Sequence, residues 1–117
     1  MRTIVFLIAI TLTHQAKAQS LDTPLSCFGE TPDWSLEITQ DNAAFDFRRT
    51  SDLTLALTTK AQGVEWPRAL TFVGRGDSAI VILEDLACDG NELTARVLTQ
   101  RGETPLLLTG CCTWRGQ

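Results

Sequence analysis

Hydrophobic residues alternate with other residues, at a period of two, in one segment of the chain after another. This period is typical of β-strands that bury one face. Two further segments, 79–83 and 106–108, are apolar at every position. They indicate strands that are central, or that are covered on their outer face by a loop. The alternating positions are Trp34, Leu36 and Ile38; Ala43, Phe45 and Phe47; Leu53, Leu55 and Leu57; Leu70 and Phe72; and Leu93, Ala95 and Val97.

Turn signals separate these segments, at intervals of roughly 8–12 residues. The longest irregular link is 59–68, where Pro67 interrupts any strand. No segment fits a helical period better than the alternation. The chain is therefore predicted to be all-β, a small antiparallel barrel or sandwich of seven or eight short strands. The other turn signals lie at 40–42, 49–52, 74–77, 88–91 and 101–103.

The first 18 residues have the features of a secretory signal peptide. Arg2 precedes an apolar run at 3–13, and the small residues Ala16 and Ala18 mark a cleavage site. The run is shorter than the roughly 20 apolar residues that span a bilayer. We therefore expect residues 19–117 to form one exported β-domain, periplasmic or secreted, that does not span the membrane.

The charge of this expected mature chain narrows the classes of function. Without Arg2 and Lys17, the 10 basic residues become 8 against 14 acidic ones, a net charge of −6. This balance argues against nucleic acid as a partner and weakly favours a basic protein. The one histidine, His14, lies in the leader, so Ser–His, Cys–His and histidine-zinc sites are excluded. We therefore expect that the protein is not an enzyme and binds no cofactor.

The four cysteines are Cys27, Cys88 and the adjacent pair Cys111 and Cys112. In an exported chain they predict two disulfides, which suit a domain too small for a large core. A bridge between adjacent cysteines would need a strained ring, so Cys27 and Cys88 each pair with either Cys111 or Cys112. Neighbours on a strand point to opposite faces, so one strand can serve both bridges. The spacing does not fit a zinc site.

Three other motifs have structural interpretations that compete with functional ones. The acidic turn at 84–92 fails the calcium-loop pattern, and Arg75-Gly76-Asp77 is interpreted as a turn despite matching an adhesion tripeptide. Trp66 and Arg68, in the longest link, form the candidate interaction loop, because tryptophan and arginine are typical of interaction hot spots. A tryptophan that plugs the open end of a barrel is the favoured interpretation.

The segment 27–38, CFGETPDWSLEI, resembles the opening of an uncharacterised family of small bacterial envelope proteins and lipoproteins. The pattern of that family is approximately Gly-x-Glu-Pro-Phe-Trp-Ser-Leu-x-Ile. A Cys-Asp turn and a Gly-Cys-Cys ending, here at 88–89 and 110–112, are also similar. The chain departs from the pattern at 30–33, where the glutamate is shifted and an aromatic residue is lost. The resemblance implies an envelope location and a compact β-domain, with no established activity.

Three functions are consistent with this sequence. The first is an exported, non-catalytic binding or structural β-domain. The second is an inhibitor of a basic cell-wall hydrolase, since an acidic surface complements a basic enzyme. Inhibitors of animal-type lysozymes are also small exported barrels, but the chain lacks their Ser-Gly-x-x-Tyr type of motif. The third is a carrier of a small apolar ligand, because a barrel of eight strands has room for side chains or for one small ligand.

Overall fold

The computed structural model describes residues 23–102 and 104–116, which form an antiparallel barrel of eight strands. The strands pair in sequence order, and β1 pairs with β8 to close the barrel. The all-β prediction is confirmed, and of its two architectures the chain adopts the barrel. The predicted signal peptide, 1–18, lies outside the described residues. The strands are β1 (Leu25–Glu30), β2 (Asp33–Thr39), β3 (Asn42–Phe47), β4 (Arg49–Lys60), β5 (Arg68–Gly74), β6 (Asp77–Glu84), β7 (Leu93–Gln100) and β8 (Leu106–Trp114).

Side chains fill the interior of the barrel. Among the described residues, twenty buried ones from all eight strands form one hydrophobic cluster. Phe45 and Phe72 are its largest fully buried members, and Trp34 is also buried, as its position on an alternating strand predicts. Burial of this apolar surface is the main favourable contribution to folding. The alternation along each strand therefore supplies the core directly.

The structure corrects the prediction for β4 in two places. Leu57 was expected on the buried face with Leu53 and Leu55, but its side chain is 48% exposed. A register shift between Leu55 and Leu57 is the cause, because a β-bulge turns the following residues to the opposite face. The turn expected at 49–52 instead lies within β4, and the chain reverses at Arg48, whose φ is 64°.

The two fully apolar segments differ in their surroundings. In 79–83, alternate residues are buried and the outward-facing Ile80 and Ile82 are half-buried. In 106–108, Leu107 is 62% exposed, so the expectation of a central or covered strand is wrong for this segment. The reason lies in the closing ladder, since β8 extends beyond the last pair that it forms with β1.

Three predicted turns are confirmed as two-residue turns, the first of them Gln40 and Asp41 between β2 and β3. Arg75 and Gly76 link β5 to β6, with φ of Gly76 at 67°. Asp89 and Gly90, with φ of 46° and 82°, form the turn that Cys88 and Asn91 close. Left-handed backbone of this kind favours glycine, aspartate and asparagine. Asp77, the acidic residue of the Arg-Gly-Asp tripeptide, is buried, which supports the structural interpretation of that motif.

Cys27 pairs with Cys112 and Cys88 pairs with Cys111, which is one of the two pairings that the sequence allowed. Cys27 and Cys112 are partners in the β1–β8 register, so their disulfide fixes the ladder that closes the barrel. Cys88–Cys111 ties the β6–β7 link to the outer side of β8. In the described part of the chain, no helix is long and apolar enough to cross a membrane.

Candidate interaction surfaces

The link between β4 and β5 covers one end of the barrel. Trp66 is half-buried and packs against the hydrophobic cluster, and the Arg68 guanidinium lies 4.4 Å from the centre of its ring. This cation–π contact holds both side chains in place. The arrangement agrees with the plug interpretation of Trp66. The role of Trp66 and Arg68 in an interaction loop stays a prediction.

Ion pairs within the same link use its charged groups. The Glu65 carboxylate accepts hydrogen bonds from Lys60 Nζ at 3.3 Å and from an Arg68 guanidinium nitrogen at 2.9 Å. The Glu65 backbone carbonyl accepts one from Arg68 Nε at 3.0 Å. Hydrogen bonding from Lys60 is the largest of the effects that lower the pKa of Glu65. Because these pairs are exposed, their contribution to stability is small. They orient the loop around Trp66.

Arg101 lies at the opposite end of the barrel, and sequence reasoning missed it. Its Nε lies 3.1 Å from a carboxylate oxygen of Asp77, and both side chains are largely buried. The guanidinium also lies 4.7 Å from the ring centre of Phe45 and donates a hydrogen bond to the Phe47 carbonyl. Because the Arg101 guanidinium is paired in this way within the domain, its role is to stabilise the fold. A lone arginine in a predicted turn carried no signal of this role.

An apolar row crosses the outside of the barrel from β4 to β8. Its members are consecutive cross-strand partners: each one lies opposite the next in the strand register. Leu57 and Leu107, at the two ends, are 48% and 62% exposed. Val73, beside the row, is 43% exposed. The three members between these ends are half-buried. A mainly apolar row with exposed ends is the kind of surface that marks an interaction site. The row consists of Leu57, Thr71, Ile80, Leu98 and Leu107.

The other side of the barrel is acidic. On β2, β3 and the start of β4, outward-facing carboxylates are exposed or half-buried. Glu37 and Asp52 lie in one cross-strand row on either side of Ala44, and they line an open cleft of about 380 Å³. Glu37 accepts Arg115 at 2.6 Å, whereas Asp52 forms no ion pair with a described residue. The outside of the barrel thus carries carboxylates on β2, β3 and the start of β4, beside the exposed Arg48 and Arg49, and a mainly apolar row from β4 to β8.

The ladder between β1 and β8 ends early, and we call this region the seam. The last pair is Phe28 with Cys111, although β1 continues to Glu30 and β8 begins at Leu106. Trp34 Nε1 donates to the Thr109 carbonyl at 3.1 Å, which occupies the acceptor that a continued ladder would use. The ladder at the seam therefore ends because the Trp34 indole, and not the backbone of β1, bonds to the Thr109 carbonyl.

Two glycines permit this position of Trp34. A Cβ atom on Gly29 would lie 2.0 Å from Trp34 Nε1, and one on Gly110 would lie 2.0 Å from the Phe28 carbonyl oxygen. Both distances are far below van der Waals contact, so only glycine fits. The sequence signal was the Gly-Cys-Cys ending and the Gly29 of the opening segment, but neither indicates the partner that excludes a side chain.

An open groove of about 380 Å³ runs along the outside of the seam. Phe28 lies in its wall, Gly29 and Gly110 line it without side chains, and Glu30 and Asp89 contribute carboxylates. Cys88 and Cys111 lie beside Asp89 in an arrangement that could hold a metal ion, but their sulfurs are joined in a disulfide. Since the thiolate is the metal ligand, this cluster offers no thiolate to a metal.

Comparisons with protein-family models, with curated proteins and with solved structures found no match for the chain. The two disulfides are compatible with an oxidising location outside the cytoplasm.

Proposed function

We propose that the protein is a non-catalytic binding domain of the bacterial cell envelope that recognises another protein through the outside of its barrel. The single observation that carries this proposal is the exposed apolar row. In the domain itself, Leu57 and Leu107 leave 48% and 62% of their surface exposed to solvent. Such a row gains its stabilising effect when a partner covers it.

The packed interior supports binding on the outside rather than inside. Phe45, Phe72 and their neighbours occupy the space where a carried ligand would lie. At the two ends, Trp66 and Arg101 pack against the same residues. A small apolar ligand would have to displace these side chains, so a carrier function is the less favoured alternative. Residues 19–117 contain no histidine, which supports a function without catalysis.

Site-specific photocrosslinking tests this proposal. A photoreactive residue at Leu98, in the middle of the row, is expected to capture one defined protein in cells that produce the chain. The same residue at Thr50, on β4 outside the row, is the control, because Thr50 is exposed and lies opposite the exposed Asp46. Equal labelling patterns from both positions, or no captured protein at Leu98, would contradict binding through the row.

The acidic side favours a second candidate, an inhibitor of a basic cell-wall hydrolase. Asp33, Asp46 and Asp52 are exposed there and form no ion pair with a described residue. Exposed carboxylates of this kind attract a basic enzyme and speed the encounter. The test is lysis of bacterial cell walls by an animal-type lysozyme at micromolar concentrations of the protein. Full lytic activity under these conditions would remove the candidate.

A further inference from the structure

At the seam, the side of β8 that faces β1 extends beyond the last residue pair that the two strands form. The Thr109 carbonyl points toward β1, because it accepts the indole N–H of Trp34 there. Alternate residues of a strand direct their N–H and C=O to the same neighbour, so Leu107 also points toward β1. Among the described residues, no backbone hydrogen bond joins Leu107 to β1 or to the β1–β2 turn.

An edge of this kind is a template for another strand. Exposed N–H and C=O groups bind an extended chain by main-chain hydrogen bonds, and alternate side chains of that chain add specificity. At Leu107, an added strand would place its outward side chains beside the last member of the apolar row. The row and the edge would then form one continuous binding surface.

The groove beside this edge has a definite charge preference. Among the ten residues that line it, Glu30 and Asp89 are acidic and none is basic. Both carboxylates are exposed, and neither forms an ion pair with a described residue. A lysine or arginine side chain on the added strand would therefore meet carboxylates in a groove that Gly29 and Gly110 line without side chains.

We infer that the seam binds an extended segment of a basic partner protein, which adds to the free edge of β8 and places a lysine or arginine between Glu30 and Asp89. This inference rests on the proposed function as a protein-binding domain, and it assigns the partner class and the place of contact.

Hydrogen exchange of the free protein tests the edge without any partner. The Leu107 amide is expected to exchange about 100-fold faster than those of Leu106 and Leu108, which face β7. Equal protection at the three amides would overturn the inference, because it would mean that the edge is already paired.

Binding is tested by NMR titration of the full protein with the acetylated and amidated peptide Thr-Val-Lys-Val-Thr. Shifts are expected at the amides of Leu107 and Thr109. In the extended peptide, the lysine N–H and the two valine N–H groups point to opposite edges, and only one edge faces β8. Of two peptides, one N-methylated at the lysine and one at both valines, one should therefore lose binding and the other should keep it. Binding by both N-methylated peptides, or no shift at these amides with millimolar peptide, would overturn the inference.

Protein variants test the same contacts. Leu107→Pro removes a backbone N–H that faces the seam. It leaves the hydrogen bonds between β8 and β7 intact, because Leu107 does not direct its N–H toward β7. It should abolish peptide binding, whereas Leu107→Val should not. Glu30→Gln and Asp89→Asn should each weaken binding up to about fivefold. The exposed Asp85, outside the groove, gives a matched control, Asp85→Asn, which should leave binding unchanged.

The outcomes separate this inference from the proposed function. If Leu107→Pro binds the peptide as the parent protein does, the seam is not the site, although crosslinking from Leu98 can still succeed. If crosslinking fails while the peptide shifts Leu107 and Thr109, the seam binds extended chains and the row lacks its proposed partner.

Discussion

Replacing Gly29 by alanine tests how Trp34 shapes the seam. The new Cβ would lie 2.0 Å from Trp34 Nε1, 2.8 Å from Trp34 Cδ1 and 2.5 Å from the Thr109 carbonyl oxygen. Two of these three atoms belong to one side chain, so the indole must move. Overpacking of a rigid core costs about 1–3 kcal/mol, and contacts this short place Gly29→Ala near the upper limit.

The assay is urea unfolding of the oxidised protein, with Trp34→Leu as the second arm of a double-mutant cycle. Shortening Trp34 removes two of the three clashes and leaves the one with the Thr109 carbonyl. Gly29→Ala should therefore cost about 3 kcal/mol in the parent protein and about 1 kcal/mol beside Trp34→Leu. With a urea slope of about 1–3 kcal/mol per molar, the parent midpoint falls by about 1–3 M.

Gly110→Ala is the matched comparison. Its Cβ would lie 2.0 Å from the Phe28 carbonyl oxygen, which is backbone and cannot move aside. Shortening Trp34 should recover little of its cost. The reasoning is refuted if Gly29→Ala costs the same in both backgrounds, because the indole would then not lie against Gly29.

Three further predictions concern the parts of the domain that hold the barrel together. The loops closed by the disulfides differ in length, with separations of 85 and 23 residues for Cys27–Cys112 and Cys88–Cys111. On loop entropy alone, replacing Cys27 and Cys112 by alanine should lower the free energy of unfolding by about 1 kcal/mol more than replacing Cys88 and Cys111. Urea unfolding that ranks the two variants in the reverse order would contradict this. Arg101→Met leaves the buried Asp77 carboxylate without its cation and should lower the free energy of unfolding by about 3–5 kcal/mol. Adding Asp77→Asn should restore part of this loss. Equal unfolding midpoints for the single and the double variant would show that the two residues are not coupled. The lowered pKa of Glu65 means that its ion pairs stabilise the fold above the ordinary carboxyl range, and that this contribution is lost as the pH falls through the lowered pKa. In NMR titrations, Lys60→Met should raise the pKa of Glu65 toward its ordinary value, and an unchanged midpoint would exclude Lys60 as the main cause.

Much of the fold was predictable because the strand signal is local. Alternation in segments such as 34–38 and 93–97 identified both the strands and their buried faces, since a residue's face depends on its neighbours along the chain. The turn at 74–77 was predictable for the same reason. The prediction failed at Leu57 because a bulge in one strand depends on its pairing with the next strand, which no local pattern records.

The candidate surfaces were less accessible to sequence reasoning. Trp66 and Arg68 were identified as candidates, and their positions at one end of the barrel follow from the loop that carries them. Arg101 was not identified, because its partner Asp77 is 24 residues away in the chain. The apolar row was also missed, since its members belong to five strands and become neighbours only through the register.

The sequence by itself determined the all-β class, the inward-facing residues of most strands and the restriction of Cys27 and Cys88 to the partners Cys111 and Cys112. Only the tertiary structure decided which of the two pairings forms, where the closing ladder ends and which outward-facing residues share a surface. The physical reason is that closure of a barrel depends on contacts between chain ends, as between Cys27 and Cys112. At the seam, the indole of Trp34 and two glycines decide that the closing ladder ends before its strands do, and the free edge of β8 results.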